Sequence, residues 1–208
     1  MMKKTILSVL LSMTMFSAMS QDITLPSPNK NHGVDIMQAL ADRQSIRECS
    51  DKPLSTADLS DLLWAANGIN RPDGKRTAPS AMNCQDIDIY AVMENGAYCY
   101  DAKANKLTLV ASGDHRAAVA GRQTGVASFP VMLVLVSDLS KFKHKDDRTQ
   151  LIAAMDAGYV SQNICLFCAA AGLATVPRAT MDETELRKVL QLTDEQMPLL
   201  NNPVGYRK

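Results

Sequence analysis

The sequence has no Gly-x-Gly-x-x-Gly, P-loop or His-Glu-x-x-His motif and no pair of Cys-x-x-Cys motifs. It also has no Gly-x-Ser-x-Gly to support a serine hydrolase. Neither sign of charge is in excess, with 22 Lys and Arg against 22 Asp and Glu. That balance gives no global pull toward nucleic acid or acidic lipid, so a phosphate would have to be held by a local cluster. The three histidines, His32, His115 and His144, fall in a proline-containing arm, near a helix start and in a Lys-rich loop. None has a partner at ligand spacing, so each reads as solvated surface and no metal is expected. Five cysteines are an odd number and form no recognisable disulfide framework. Cys165 and Cys168 lie three apart in an apolar stretch and read as buried thiols, with a thiol redox pair as the rarer alternative. Any reactivity must then come from a cofactor.

What is present begins with an N-terminal signal. Lys3 and Lys4 precede an apolar run from Thr5 to Ala18, and Ala18-Met19-Ser20 forms a small-x-small cleavage site before Gln21. Residues 1–20 are therefore read as a signal peptide, which places the mature protein outside the cytoplasm, in the periplasm, with no membrane association after cleavage. Residues 21–33 carry two prolines and no apolar period, as an extended arm does. Residues 34–208, in a chain that is 46% hydrophobic, suffice for one domain with a substantial core.

Apolar periodicity outlines that domain. A helix is expected over Val34–Asp42, with Ile36, Met37 and Leu40 on one face. A second starts at the Ser55/Asp58 capping pair, runs on Leu59, Leu62, Leu63 and Ala66, and stops at Gly68. Residues 69–78 read as a polar loop. Strands are expected at Ile87–Met93, Ala97–Tyr100, Lys106–Val110 and Val131–Val136, the last buried on both faces. Asp114–Gln123 reads as a helix. Asp146–Ala171 reads as a long helix enclosed on most sides. Leu173–Val176 follows as a strand, Asp182–Leu190 as an amphipathic helix and Leu199–Tyr206 as a final strand. With no fixed βαβ period and no internal repeat, an α+β layered domain is favoured over a doubly wound one.

Three segments suit a cofactor. Arg43, Gln44, Ser45 and Arg47 follow a short helix and offer two guanidinium groups and a hydroxyl to a phosphate. If the stretch is extended, Arg43, Ser45 and Arg47 point one way. Ser80, Asn83 and Gln85, in Ala-Pro-Ser-Ala-Met-Asn-Cys-Gln (78–85), can bond the edge of a heteroaromatic ring. At Gly172–Asp182 a strand runs into the Pro177 turn and exposes backbone amides. Taken singly, each segment is equally well an ordinary helix end, capping turn or strand-to-helix connection.

In this order the segments resemble the nitroreductase family of flavin mononucleotide (FMN) oxidoreductases over nearly the whole mature length. The similar motifs are Arg43-Gln44-Ser45-Ile46-Arg47, Leu62-Leu63-Trp64-Ala65-Ala66, Ala78 to Gln85, Asp156-Ala157-Gly158 with Gln162-Asn163, and Gly172-Leu173 with Val176-Pro177. The wording around Trp64, Arg76 to Ser80 and Tyr98 to Asp101 is most similar to the branch that includes azoline dehydrogenases. The resemblance implies a central, mostly antiparallel sheet flanked by helices, in an obligate-type homodimer with two flavins in the subunit interface. It implies hydride transfer through flavin N5 by ping-pong exchange with a small-molecule substrate, and a donor that in this family is often NAD(P)H. Arg43, Gln44 and Ser45 would meet phosphate and ribityl groups, and Ser80 and Asn83 would come from the partner subunit. Pro177, Ala179 and Thr180 would sit by the ring, with Arg207 closing on the phosphate.

The chain departs from the family at three points. Gln44 replaces a basic residue found in many members, and Ala179-Thr180 stands where many have Glu-Gly or Gly-Gly. The sequence also reaches Lys208 without the arm that relatives wrap around the partner, which leaves Arg207 as an end-frayed contact. A binding dimer without turnover is therefore an alternative to an enzyme.

Overall fold

The computed structural model describes residues 21–208, so the signal reading at 1–20 lies outside the described residues. Its frame is one antiparallel seven-stranded sheet. The strands are β1 (Ile23–Thr24), β2 (Ile87–Met93), β3 (Gly96–Asp101), β4 (Lys106–Ser112), β5 (Val131–Asp138), β6 (Leu173–Thr175) and β7 (Gln196–Tyr206). They are ordered β1-β4-β3-β2-β5-β7-β6. The helices are α1 (Ile36–Asp42), α2 (Thr56–Asn67), α3 (Arg116–Ala120), α4 (Asp147–Ala170) and α5 (Glu183–Val189).

Alternation along the two central strands builds a core on each face of the sheet. Ile87, Ile89 and Ala91 of β2, with Leu133 and Leu135 of β5, pack against Leu59, Leu62 and Leu63 of α2 and Ile164 of α4. The intervening Tyr90, Val92, Met132, Val134 and Val136 pack against Val119, Phe129, Leu186 and Leu190 on the other side. β5 is buried from Val131 to Ser137, as its unbroken apolar run requires. Fully buried side chains such as Leu62 and Leu133 each contribute about 1.5–3 kcal/mol.

Local chemistry sets the helix ends. The Ser55 hydroxyl accepts from the Asp58 N–H at 3.0 Å and starts α2. The Gly68 N–H donates to the Trp64 carbonyl at 2.8 Å at its end, where a Cβ would lie 2.4 Å from the Trp64 ring. Asp146 and Asp182 cap α4 and α5 by accepting from the Thr149 and Glu185 N–H groups.

Three expectations need correction. The helix over Asp114–Gln123 shrinks to Arg116–Ala120, because Gly121 turns out of it at φ +55° against the Met181 backbone. α4 is not enclosed on most sides, since Leu151, Met155 and Tyr159 recur every four residues along an open face and are 57%, 50% and 48% exposed. The stripe expected on one face of α1 is there and faces outward, with Ile36, Met37 and Leu40 exposed and Ala39 buried. Finally, His32 is not free surface. Its Nδ1 lies 2.6 Å from an Asp61 carboxylate oxygen and its ring packs edge-on to Phe167, which draws the arm onto α2 and α4. α4 is long and apolar enough to cross a bilayer, yet one side of it packs on α2, β5, β6 and β7 as a core helix.

Candidate functional site

The stretch after α1 leaves helical geometry at Arg43 (φ −61°, ψ 119°) and runs extended beside β6 and β7. The Ile46 N–H donates to the Thr175 carbonyl and the Ser50 N–H to the Tyr206 carbonyl, each at 2.9 Å. Those bonds turn Arg43, Gln44, Ser45 and Arg47 to solvent, all four exposed. A cavity of about 390 Å³ opens there, lined by Gln44, Ile46, Arg47, Glu48, Arg207 and Lys208.

Arg207 does not fray. Pairing of β7 with β6 continues to Tyr206, and the Arg207 Nε donates to the Leu173 carbonyl at 3.2 Å. Lys208 pairs with Glu48 at 2.8 Å and holds that carboxyl below its usual range. The single acid lining the cavity is thereby partnered, and the Arg side chains dominate its charge.

Arg43 and Arg207 also share a neighbourhood on α4. Burial pushes the Cys165 thiol up and the charge of Arg43 opposes this. Burial pushes Cys168 well up, with Arg207 opposing. Thiols raised in this way stay protonated and packed, which fits structural residues and not a redox pair. Asn202 bridges Cys165 to the Ser161 hydroxyl, which donates to it at 2.8 Å.

The turn after β6 continues the same edge. Pro177, Ala179 and Thr180 are exposed. The residue that anchors them, Arg178, was not singled out from the sequence. It is 7% exposed, and its guanidinium donates to the Gln123 and Asn201 side chains and to the Val119 and Ala120 carbonyls. No carboxylate pairs with it among the described residues, and burial lowers its proton affinity. Backbone bonds in both directions between Arg178 and Asn201, and from the Asn201 amide to the Thr180 carbonyl, fix the turn.

Ser80 and Asn83 lie elsewhere. They line a second cavity of about 200 Å³ with Arg71, Lys75, Arg76 and Gln85. Their loop rests on α4 at Asp156, whose carboxylate accepts the Ala81 N–H at 2.9 Å. Asp156 and Cys165 are nine residues apart on one helix, about 14 Å at 1.5 Å per residue. The fold thus gathers Arg43, Gln44, Ser45, Arg207 and the Pro177–Thr180 turn around β6, and sets Ser80 and Asn83 apart from them. Ser80 is also committed internally, accepting the Gln85 N–H at 2.8 Å and donating to Asp86 at 3.5 Å, whereas Asn83 is exposed.

Residues 40–206 match the model of the nitroreductase family. A Ralstonia eutropha JMP134 protein assigned as a nitroreductase shares 32% identity and superposes with a TM-score of 0.82, covering 92% of this chain and 91% of its own. A Methanocaldococcus jannaschii protein with the same assignment is 28% identical over 90% of this chain and 98% of its own. The Bacillus subtilis FMN reductase (NAD(P)H) is 24% identical over 83% of this chain and 66% of its own. The chain belongs to the nitroreductase family.

The residues around β6 fit an FMN phosphate by their chemistry. Arg43, Ser45, Arg47 and Arg207 supply bidentate and single donors. The one buried side-chain oxygen without a partner among the described residues, Thr175 Oγ1, lies on the same strand.

Proposed function

We propose that this protein is an FMN-dependent oxidoreductase that acts on a small molecule as a homodimer with flavin at the subunit interface. The observation that carries this reading is the convergence on β6 of an exposed Arg-x-Ser-x-Arg segment, Arg207 and the turn at Pro177–Thr180. When bound, a flavin would supply hydride- and electron-transfer chemistry that the chain's own side chains lack.

The chain's own residues bind and orient. Arg43, Ser45 and Arg207 would hold the phosphate, with Gln44 contributing an amide in place of a second cation. The backbone of Ala179 and Thr180, kept in place by Arg178 and Asn201, would lie by the ring. The distance along α4 between Cys165, beside Arg43, and Asp156, beside Ser80, supports a site completed by Ser80 and Asn83 of a second copy. The apolar faces of α1 and α4, with Met37 72% and Met155 50% exposed, supply the surface for that copy. Export follows from the signal reading at 1–20 and is tested by sequencing the N-terminus of the protein from its native host.

Anaerobic mixing of FMN-loaded protein with a donor tests the reaction. Bleaching of the flavin absorbance by NAD(P)H or an organic donor without a second substrate, and its return when an acceptor is added, is the expected behaviour. Flavin that dithionite bleaches but no donor reduces would make the protein a binding module.

A further inference from the structure

The loop that carries Ser80 and Asn83 is held in an unusual shape. Three of its residues that are not glycine, Met82, Asn83 and Gln85, have φ of 53°, 55° and 48°, in the left-handed region. Asparagine tolerates that region, but methionine and glutamine adopt it at a cost that surrounding contacts must offset. The contacts come from two carboxyl groups. Asp86 is 0% and Asp156 is 2% exposed, and they meet the loop at adjacent residues, Ser80 and Ala81. Asp86 accepts from the Ser137 hydroxyl of β5 at 2.6 Å and from Ser80 at 3.5 Å, and Asp156 accepts the Ala81 N–H at 2.9 Å.

Two buried carboxylates this near each other repel unless one of them holds a proton. No cation pairs with either of them among the described residues. The cations nearby are committed elsewhere, Lys141 to Asp88 and the Gln85 carbonyl, and Arg76 to the Gln85 side chain and the Asn67 carbonyl. The remaining titratable neighbour, Cys84, is pushed up by burial and by both carboxylates, and stays a neutral thiol.

We propose that Asp86 and Asp156 share one proton, and that this proton-sharing pair is a positioning device that keeps the Ser80–Gln85 loop shaped to hold flavin across the subunit interface. The proposal rests on the flavin reading above. Burial, followed by contact with Asp156, moves the Asp86 carboxyl up to about 6. A raised carboxyl keeps its proton at low pH, so the latch is closed there and opens as pH rises through that value.

The test uses two readouts on wild type, Asp86→Asn, Asp156→Asn and Ser137→Ala, from about pH 5 to about pH 8.5. The first is amide exchange at residues 80–86 of the FMN-free protein, corrected for intrinsic pH dependence. The second is FMN affinity by fluorescence titration. In wild type and Ser137→Ala, loop protection should fall and the FMN Kd should rise about tenfold across the range, one unit of linkage. In Asp86→Asn and Asp156→Asn, where an amide replaces the shared proton, both profiles should flatten. A flat wild-type profile, or asparagine variants that track wild type, overturns the proposal. Failure to bind FMN at any pH overturns the flavin reading instead, and exchange in the FMN-free protein still decides whether the pair holds the loop.

Discussion

Replacing Asp86 by asparagine removes a buried charge at nearly constant shape, since the amide oxygen can still accept from Ser137. Its effect on stability follows from linkage. The carboxyl moves from an ordinary 3.8 to about 6 in the folded chain, first through burial and next through the neighbouring Asp156. Between those values the folded state holds a proton that the unfolded state has released, so wild-type stability falls as pH rises through this window. At about 1.4 kcal/mol per unit, a shift of roughly two units corresponds to on the order of 3 kcal/mol. The asparagine variant lacks that loss. Urea unfolding at about pH 4 and about pH 7.5 should show wild type losing on the order of 3 kcal/mol more than Asp86→Asn between the two conditions, with unchanged m-values. A difference that does not change with pH, or one that favours wild type as pH rises, would refute the reasoning.

Three further outcomes are expected. Arg178→Ala strands four acceptors around a buried cavity and should cost about 3–5 kcal/mol in urea unfolding. Arg178→Lys should recover part of that loss, since an ammonium keeps the charge but not the fork. Thr175→Val removes the one buried hydroxyl that has no partner among the described residues, and should raise stability by about 1 kcal/mol in the FMN-free protein. Met155→Lys places a charge on the open apolar face of α4, and light scattering should show a shift from dimer to monomer without loss of helix content.

The strands were legible because β-branched runs with turn residues between them admit few other readings, and Ile87–Met93 matches to the residue. α2 was equally legible from Ser55, Asp58 and Gly68. The open face of α4 was misjudged, since periodicity reports that a helix has an apolar face but not whether the same chain covers it. Arg178 and Asp86 were missed for a related reason. A lone Arg in a turn and a lone Asp before a strand look like surface residues, and only tertiary packing buries them. His32 belongs with them, because its partner Asp61 lies 29 positions away. The Arg43 segment stood out by composition, but its closeness to Arg207 depends on β6 pairing with β7 at the far end of the chain.

Titration of the flavin-free protein with FMN, followed by fluorescence quenching and by the absorbance of the filtered complex, tests the assigned cofactor most directly. One FMN per subunit, with binding weakened about tenfold or more in both Arg43→Ala and Arg207→Ala, is the expected result. A protein that retains no FMN, or that binds it equally well without either arginine, would contradict the assignment of the β6 edge as the flavin phosphate site.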